Sequence, residues 1–269
     1  MRSPGVAPAL LLWLGMVLMA HPGGVGAQDA SPATSPDPVI STGEGHREAG
    51  RPDLALAIWE AALVVESGRY AVLWRAARES VVLGMLQAEE ERQNEWFLRG
   101  EEFARVAIGV DSTAVEGRYW LLAAMGRRAL QSGIVTTARL AREIHAGAAR
   151  LLDEVPDHAG AHHVMGVLNS EVMKLPAVTR FLGKRVLGGG SDLYETSWGE
   201  AERHLLSAVE LDPGMLLYQM DLAVMYLRRD QVQEAEEVLR LLIESPSREA
   251  VDPHLKSRAR ALLQEPDNV

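Results

Sequence analysis

A helix-ending joint recurs in the second half of the chain at a spacing of about 34 residues. Three positions repeat at offsets of 34, 34 and 33 residues, namely Ala201, Ala208 and Pro213, and then Ala235, Leu242 and Pro246. Each proline closes an apolar stretch with helical spacing, because proline cannot donate a backbone hydrogen bond and restricts the residue before it. A period of this length is typical of stacked helical hairpins. The chain is therefore predicted to be a helical repeat protein.

Earlier segments carry weaker copies of the same unit. In "GRPDLALAIWEAAL" (50–63), Ala55, Trp59 and Ala62 have the spacing of an alanine-rich second helix, and "PDHAGAHHVMGVLN" (156–169) repeats the joint. Small residues allow two helices to approach to about 8 Å. One hairpin cannot bury its own apolar stripe, so the hairpins must stack. The prediction is an all-α, right-handed superhelical stack whose concave face comes from the first helix of each unit, with a capping helix at 252–264.

Composition narrows the function classes. Apolar residues make up 47% of the chain and aromatic residues only 5%, which favours a core of alanine, leucine and valine in helices. The net charge of −10 argues against general nucleic-acid binding, because a cationic footprint is missing. The chain has no cysteine, which excludes disulfides and thiolate metal sites. No cofactor and no small-molecule substrate are expected.

The N-terminus predicts export. The apolar run "ALLLWLGMVLMA" (9–20) follows Arg2 and precedes the small residues Val25 and Ala27. A helix of this run spans about 18 Å, against roughly 30 Å for a bilayer core. Residues 1–27 are therefore predicted to be a secretory signal cleaved near Ala27, which places the protein in the periplasm of a two-membrane bacterium or outside the cell. The alternative is an uncleaved membrane anchor.

The Pro/Ser/Gly-rich residues 28–45 are predicted to form a flexible linker, followed by the repeat domain at 46–265. The first hairpin is expected to lack an opening helix, because "STGEGHREA" (41–49) is rich in glycine. An insertion at 176–196 interrupts the repeats and is predicted to form a short basic amphipathic helix. Its residues Arg180, Lys184 and Arg185 are candidates for contact with an anionic lipid surface or an acidic partner. The alternative is a helix that only fills the gap between two hairpins.

The pattern of small residues and closing prolines resembles the tetratricopeptide repeat (TPR). A closer resemblance rests on five segments in order, which are "AVLWRAARES" (71–80), "AHHVMGVLNSEV" (161–172), the Arg-Phe-Leu-Gly-Lys-Arg insertion, "AERHLLSAVELDP" (201–213) and "LAVMYLRRDQVQEAEEVLRLL" (222–242). They occur in this order in the regulator of microtubule dynamics family, over roughly residues 70–265. The resemblance implies an all-α adaptor that associates with microtubules or with contacts between membranes. The export signal is a departure from that pattern.

Three histidines lie close together in "DHAGAHH" (157–163). His158 and His162 are four residues apart and, on one helix, are candidates to chelate a divalent metal. The alternative is that Asp157 or His158 caps the helix, His162 faces the hairpin partner and His163 faces the groove. Motifs of hydrolases, such as Gly-x-Ser-x-Gly or His-Glu-x-x-His, are absent from the sequence. An enzyme, whether a hydrolase or a metal enzyme, is therefore the least supported class.

The repeat pattern predicts a partner-binding groove on the first helices. Its candidate residues are Trp74, Arg78, His163, Val167, Glu171, Met220, Val224 and Arg228. Arg78 and Arg228 are candidates to clamp a partner's carboxylate, and Trp74 and Met220 to hold an apolar anchor. The alternative for Trp74 and Met220 is an ordinary core position. The leading prediction is a non-enzymatic exported scaffold that binds a protein or peptide, and the second is an adaptor that uses the basic insertion at a membrane or the cytoskeleton.

Overall fold

The computed structural model describes residues 37–131, 134–175 and 196–267, and within these residues it contains eleven α-helices and no strand. The helices are α1 Pro38–Glu48, α2 Pro52–Val65, α3 Tyr70–Met85, α4 Glu90–Val110, α5 Val115–Leu130, α6 Ile134–Glu154, α7 Ala159–Lys174, α8 Trp198–Leu211, α9 Leu216–Leu227, α10 Val232–Glu244 and α11 Asp252–Gln264. None of these helices combines the length and the apolar character that crossing a bilayer requires.

Consecutive helices pack on each other as five hairpins, α1/α2, α3/α4, α5/α6, α7/α8 and α9/α10, and α11 packs on the last of them. The hairpins also contact their neighbours, so that α2 packs on α3 and α4 on α5. The prediction of an all-α stack of helical hairpins is confirmed. The helix predicted at 252–264 is α11, whose residues coincide with that range.

The second helix of each matched hairpin buries the residues that define the repeat. At most 1% of each is exposed: Ala55 and Trp59 in α2, Ala201, Leu205 and Ala208 in α8, and Ala235, Leu239 and Leu242 in α10. Small alanine side chains bring the helices close, and the larger residue one turn away fills the space beside that contact. The 34-residue period is therefore the pattern of this buried stripe.

The α7/α8 hairpin shows why a glycine stands in one of these helices. A Cβ atom added to Gly166 would overlap the Leu205 side chain of α8. The bare backbone at Gly166 therefore forms part of the surface that receives Leu205. Because Leu205 is one of the residues of the buried stripe, this contact fixes α7 against α8.

The expectation of a linker at 28–45 and of a missing opening helix is wrong for residues 38–45, which form most of α1. The side chain of Asp37 caps this helix and accepts hydrogen bonds from the backbone N–H groups of Val39 (3.0 Å) and Ile40 (3.5 Å). A Cβ atom at Gly43 would overlap the indole of Trp59, so this glycine provides the close approach of α1 to α2. The glycine that argued against a helix is thus a packing position.

The C-terminal hairpin has the largest apolar core, with residues from α8 to α11. Val82, Met85 and Leu86, at the end of α3, pack against the same core. The N-terminal end reaches the C-terminal segment as well, because Arg47 of α1 forms an ion pair with Glu249, just before α11, at 2.8 Å. The end of α3 and the end of α1 therefore contact the C-terminal part of the chain, and part of the surface of these first helices is covered by it.

Candidate functional site

Three predicted groove residues are buried in the core. Met220 is 0% exposed, Val224 5% and His163 7%. A side chain that solvent cannot reach does not contact a partner in this conformation, so the expectation that Met220 holds a partner's apolar anchor is not met. The alternative of an ordinary core position describes Met220. Trp74, Val167 and Glu171 in contrast keep part of their surface exposed.

The physical reason lies in the composition of α9. Ten of the twelve residues of this helix are buried, so it has no polar face to turn to solvent. One side packs in the α9/α10 hairpin, and the cluster that it forms also receives the end of α3. The 34-residue period contains no information on this contact, because it joins residues more than a hundred positions apart.

His163 joins α7 to α9 through a buried polar network. Its Nε2 atom lies 2.7 Å from Oδ2 of Asp221, and its ring stacks on Tyr218 at 4.6 Å between centroids. Burial acts to raise the pKa of Asp221, but the contacts with His163, together with the charges of Arg127 and Arg258, outweigh it and the pKa is lowered. Burial raises the pKa of the Tyr218 hydroxyl, which hydrogen-bonds to Tyr119 of α5. This network ties three first helices together.

Arg228 and Glu171, two other predicted groove residues, bind each other. Nη1 of Arg228 lies 2.8 Å from Oε1 of Glu171 and 3.2 Å from the Ser170 hydroxyl. Val167 is partly buried against the C-terminal core. The guanidinium that was expected to clamp a partner's carboxylate therefore already holds a carboxylate of α7.

Trp74 and Arg78, on α3, lie together near the N-terminal end of the stack. Trp74 is half-buried, and its ring has the guanidinium of Arg75 at 4.0 Å and that of Arg78 at 5.3 Å from the centroid. Both distances are within the range of cation–π contacts. The structure thus brings together one partly exposed aromatic side chain and two cations on a single helix.

A carboxylate of α1 lies between these cations. Glu44 accepts hydrogen bonds from Nε of Arg75 (2.7 Å), from Nη2 of Arg78 (2.9 Å to each oxygen) and from Nε of Arg47 (2.7 Å). Burial acts to raise the pKa of Glu44, but Arg78 above all, with the hydrogen bonds from the three arginines, lowers it to about 2. We call Arg47, Arg75 and Arg78 the arginine cradle.

Glu79, beside the cradle, is a buried carboxyl group. Its Oε1 atom accepts from Nε of Arg78 at 2.8 Å, and its buried Oε2 atom has no hydrogen-bond partner. Burial raises the pKa of Glu79 to about 7, although Arg78 opposes the shift. Sequence reasoning missed the cradle because Glu44 was assigned to a linker. The local signals are the three-residue spacings of Glu44 and Arg47 and of Arg75 and Arg78, each of which places two charges on one helical face.

The histidine segment has structural roles. His158 is the N-cap of α7, and its Nδ1 atom accepts from the Ala161 N–H at 3.0 Å. His162 faces α8, with 2.8 Å between its Nδ1 atom and Nδ1 of His204. Of the two predicted capping residues, Asp157 and His158, the structure has His158 as the N-cap, and the prediction that His162 faces the hairpin partner is confirmed. Over residues 37–131, 134–175 and 196–267, no group of three His, Asp or Glu side chains converges as metal ligands would.

Hydrogen-bond chemistry fixes the tautomers of the His162–His204 pair. The Pro156 carbonyl only accepts, so Nε2 of His162, at 2.8 Å, is the donor there. Nδ1 of His162 then accepts from Nδ1–H of His204, whose Nε2 accepts from Arg203 at 2.8 Å. Protonation of either ring would bring two donors face to face. Burial, then the charges of Arg203 and His162, lower the pKa of His204 to about 4.

The basic residues of the predicted insertion, Arg180, Lys184 and Arg185, lie outside the described residues, as do residues 1–36. The expectations of a basic helix, an export signal and its cleavage near Ala27 therefore stay predictions.

Similarity to solved structures places the fold among TPR proteins. The thermophilic TPR protein TTC0263 of Thermus thermophilus is similar with a TM-score of 0.58 and 19% identity, over 84% of this chain and 97% of that chain. MamA of Desulfovibrio magneticus RS-1 has a TM-score of 0.43 and 13% identity, over 86% and 96% of the two chains. YrrB, described as a TPR protein with an unusual peptide-binding site, has a TM-score of 0.39 and 16% identity, over 84% and 91%.

No curated protein matches the chain. Residues 40–266, however, match the family described as Regulator of microtubule dynamics protein 1-3. The match includes α1 from Ile40 onwards, all later hairpins and the insertion, and it confirms the resemblance drawn from the order of motifs. Because it spans most of the sequence, the chain belongs to the regulator of microtubule dynamics protein 1-3 family.

Proposed function

We propose that the protein is a non-enzymatic scaffold that binds a protein or peptide partner at the N-terminal end of α3, around Trp74. The observation that carries this proposal is the half-buried Trp74 ring with the guanidiniums of Arg75 and Arg78 against it. Tryptophan and arginine are the residues that most often dominate the binding energy of protein interfaces. Repeat stacks present such side chains on a rigid surface, and the TPR-like fold supports the same class of function.

Site-specific photocrosslinking in the native host tests the proposal. One probe replaces Trp74, a second replaces Glu237 on the exposed side of α10, and a third replaces the buried Met220. We expect a discrete adduct from position 74 alone. Equal labelling from positions 74 and 237, or no adduct from position 74, would contradict binding at this end of α3. An adduct from position 220 would show that the core around α9 opens to partners.

We further propose that the protein works outside the cytoplasm. The basic start, the short apolar run 9–20 and the small residues before Gln28 support a cleaved export signal. Fractionation of the native host, with mass spectrometry of the mature N-terminus, tests this. A chain that starts near Gln28 in the periplasm or medium is the expected result. A cytoplasmic chain with an intact Met1 would refute it.

A second candidate function follows from the family match. The family description refers to microtubule dynamics, and the match includes the insertion with Arg180, Lys184 and Arg185. In this candidate the protein is an adaptor whose basic insertion contacts an anionic surface. Co-sedimentation with polymerised tubulin and flotation with anionic vesicles test it, in parallel with the triple Glu variant of the three basic residues. Equal binding of the wild type and the triple Glu variant would show that the insertion does not contact the anionic surface.

A further inference from the structure

Helix α1 is held in place by its contacts more than by its own sequence. Its eleven residues, PVISTGEGHRE, include two glycines, each of which costs about 1 kcal/mol relative to alanine in a helix interior. Only Gly43 of these residues is fully buried. Val39 and Ile40 pack, partly buried, against the small cluster of Trp59, Val72 and Ala55. The apolar attachment of α1 is therefore limited, and its remaining attachment is ionic.

That ionic attachment centres on one carboxylate, Glu44, and further ion pairs join Arg47 to Glu249 and Asp37 to Arg69. Glu44 receives four hydrogen bonds of 2.9 Å or less from the arginine cradle. Charge-assisted bonds from guanidinium groups are the standard way in which proteins bind carboxylates. Two of the three arginines, Arg75 and Arg78, belong to α3 and stay with the stack if α1 leaves, whereas Glu44 leaves with α1.

The cradle adjoins the surface that the proposed function assigns to a partner. Two of the guanidiniums that bind Glu44, those of Arg75 and Arg78, also contact the Trp74 ring. Departure of α1 would also uncover Trp59 and Val72, which are both 0% exposed in this structure. The surface beneath α1 thus offers two guanidiniums and an apolar patch, which suits a peptide with a carboxylate next to apolar side chains.

We propose that α1 is a displaceable cover of this surface, that Glu44 occupies the position of a partner's carboxylate, and that the partner is an acidic peptide. The proposal rests on the proposed function and names the class of partner that would bind there. The net charge of −10 makes general attraction of an acidic peptide unfavourable, so binding of one needs a local group of arginines such as this.

Binding of fluorescein-labelled hexaglutamate, followed by fluorescence anisotropy at low salt, tests the proposal. The E44Q variant removes the competing charge and keeps the side-chain shape, so we expect it to bind the probe at least tenfold more tightly than the wild type. In the E44Q background, R75Q/R78Q should reverse that gain. A labelled hexaglutamine probe should not bind to any of these proteins.

E154Q is the matched control variant. Glu154 also binds an arginine through both oxygens, Arg118 at 2.8 and 2.6 Å, but far along the chain in α6. The variant removes the charge beside a single arginine that still donates to the Thr113 and Ala114 carbonyls, so the affinity for hexaglutamate should stay at the wild-type value. Equal affinities of wild type and E44Q would overturn the proposal. So would an E44Q gain that survives R75Q/R78Q or that E154Q reproduces.

Displacement of α1 has its own readout, because the chain has no cysteine. V72C places a thiol beneath α1, and its maleimide labelling should accelerate at least tenfold in the E44Q background and on saturation with hexaglutamate. L140C, in α6 and 1% exposed, reports global opening and should not change. Equal acceleration of labelling at both thiols, or no acceleration at V72C, would overturn the proposal that α1 is a displaceable cover. Failure here, together with a specific adduct from position 74, would leave the proposed function standing.

Discussion

The first and the last hairpin of the stack occupy equivalent places in the repeat but are stabilised differently. In α9, ten of twelve residues are buried, and the helix lies inside the largest core of the protein. In α1, Gly43 is the one fully buried residue. Burial of apolar area stabilises α9, whereas α1 is held by a cap, the Gly43 contact, the partly buried Val39 and Ile40, and several ion pairs. A repeat position can thus be filled by apolar packing or by polar contacts.

The difference has consequences for cooperativity. Apolar packing in α9 is shared with α8, α10, α11 and the end of α3, so this hairpin cannot open without disrupting the core. The contacts of α1 are few and include exchangeable ion pairs, which have modest net energies at partly exposed positions. We therefore expect α1 to open on its own and α9 to open only with the whole fold.

The largest expected effect is in the C-terminal core. Leu239→Ala removes a side chain that is 1% exposed, and we expect a loss of about 2–5 kcal/mol in the free energy of unfolding. Leu241→Ala, on the same helix with 61% exposure, is the control and should change that free energy by less than about 0.5 kcal/mol. Urea denaturation measures both. Similar losses from the two variants would refute an apolar origin of stability in this hairpin.

The next effect is a pH dependence in the α7/α8 hairpin. His204 has an ordinary pKa of 6.5 in the unfolded chain and about 4 when folded, so unfolding takes up a proton between these values. The contribution of neutral His204 to the free energy of unfolding is complete above pH 6.5. As the pH falls towards 4 this free energy decreases, by an amount on the order of 3 kcal/mol. Denaturation at pH 7, 5.5 and 4.5 measures the slope, and His204→Asn should reduce it.

The effect of Glu79 must be excluded from that measurement, because it changes the free energy of unfolding with pH in the opposite direction. Its folded pKa of about 7 lies above the ordinary 4.5, so its contribution to stability grows as the pH falls from 7 to 4.5. The His204 comparison is therefore made in a Glu79→Gln background. The same dependence of the free energy of unfolding on pH with and without His204 would contradict the assignment of a neutral His162–His204 pair.

The smallest effects separate two glycines of α1. A Cβ atom at Gly43 would overlap Trp59, whereas one at Gly45 meets nothing within 4 Å. Gly43→Ala should cost about 1–3 kcal/mol through overpacking, although alanine is the better helix former. Gly45→Ala should stabilise by about 0.4–1 kcal/mol. Thermal unfolding followed by tryptophan fluorescence distinguishes them, and stabilisation by both variants would show that helix propensity alone decides α1.

The sequence predicted what is written in local periodicity. The stripe of Ala201, Leu205 and Ala208 and its copy in α10 were predicted because each contact depends on residues one or two turns apart. The same register placed His162 against the hairpin partner. It also described Met220 as a groove residue, which is wrong because this side chain is fully buried in a core that the end of α3 joins from far along the chain.

The sequence could not predict α1 or the arginine cradle for the same reason. The contacts that stabilise α1 join Glu44 to residues 31 and 34 positions away and Arg47 to one 202 positions away. The repeat pattern specifies small and apolar positions and contains no information on these polar pairs. The composition of α1, rich in glycine and hydroxyl side chains, locally favours a linker. Long-range polar contacts thus stabilise α1, the helix that local composition incorrectly predicts to be a linker.

Hydrogen exchange of backbone amides tests the central claim most directly, because it compares α1 and α9 in one molecule under native conditions. We predict that amides of α1 exchange on the order of a hundredfold or more faster than those of α9, and that E44Q accelerates α1 and leaves α9 unchanged. Exchange of α1 and α9 at one common rate, with E44Q acting on both alike, would show that the first hairpin opens only with the whole fold and would contradict the account.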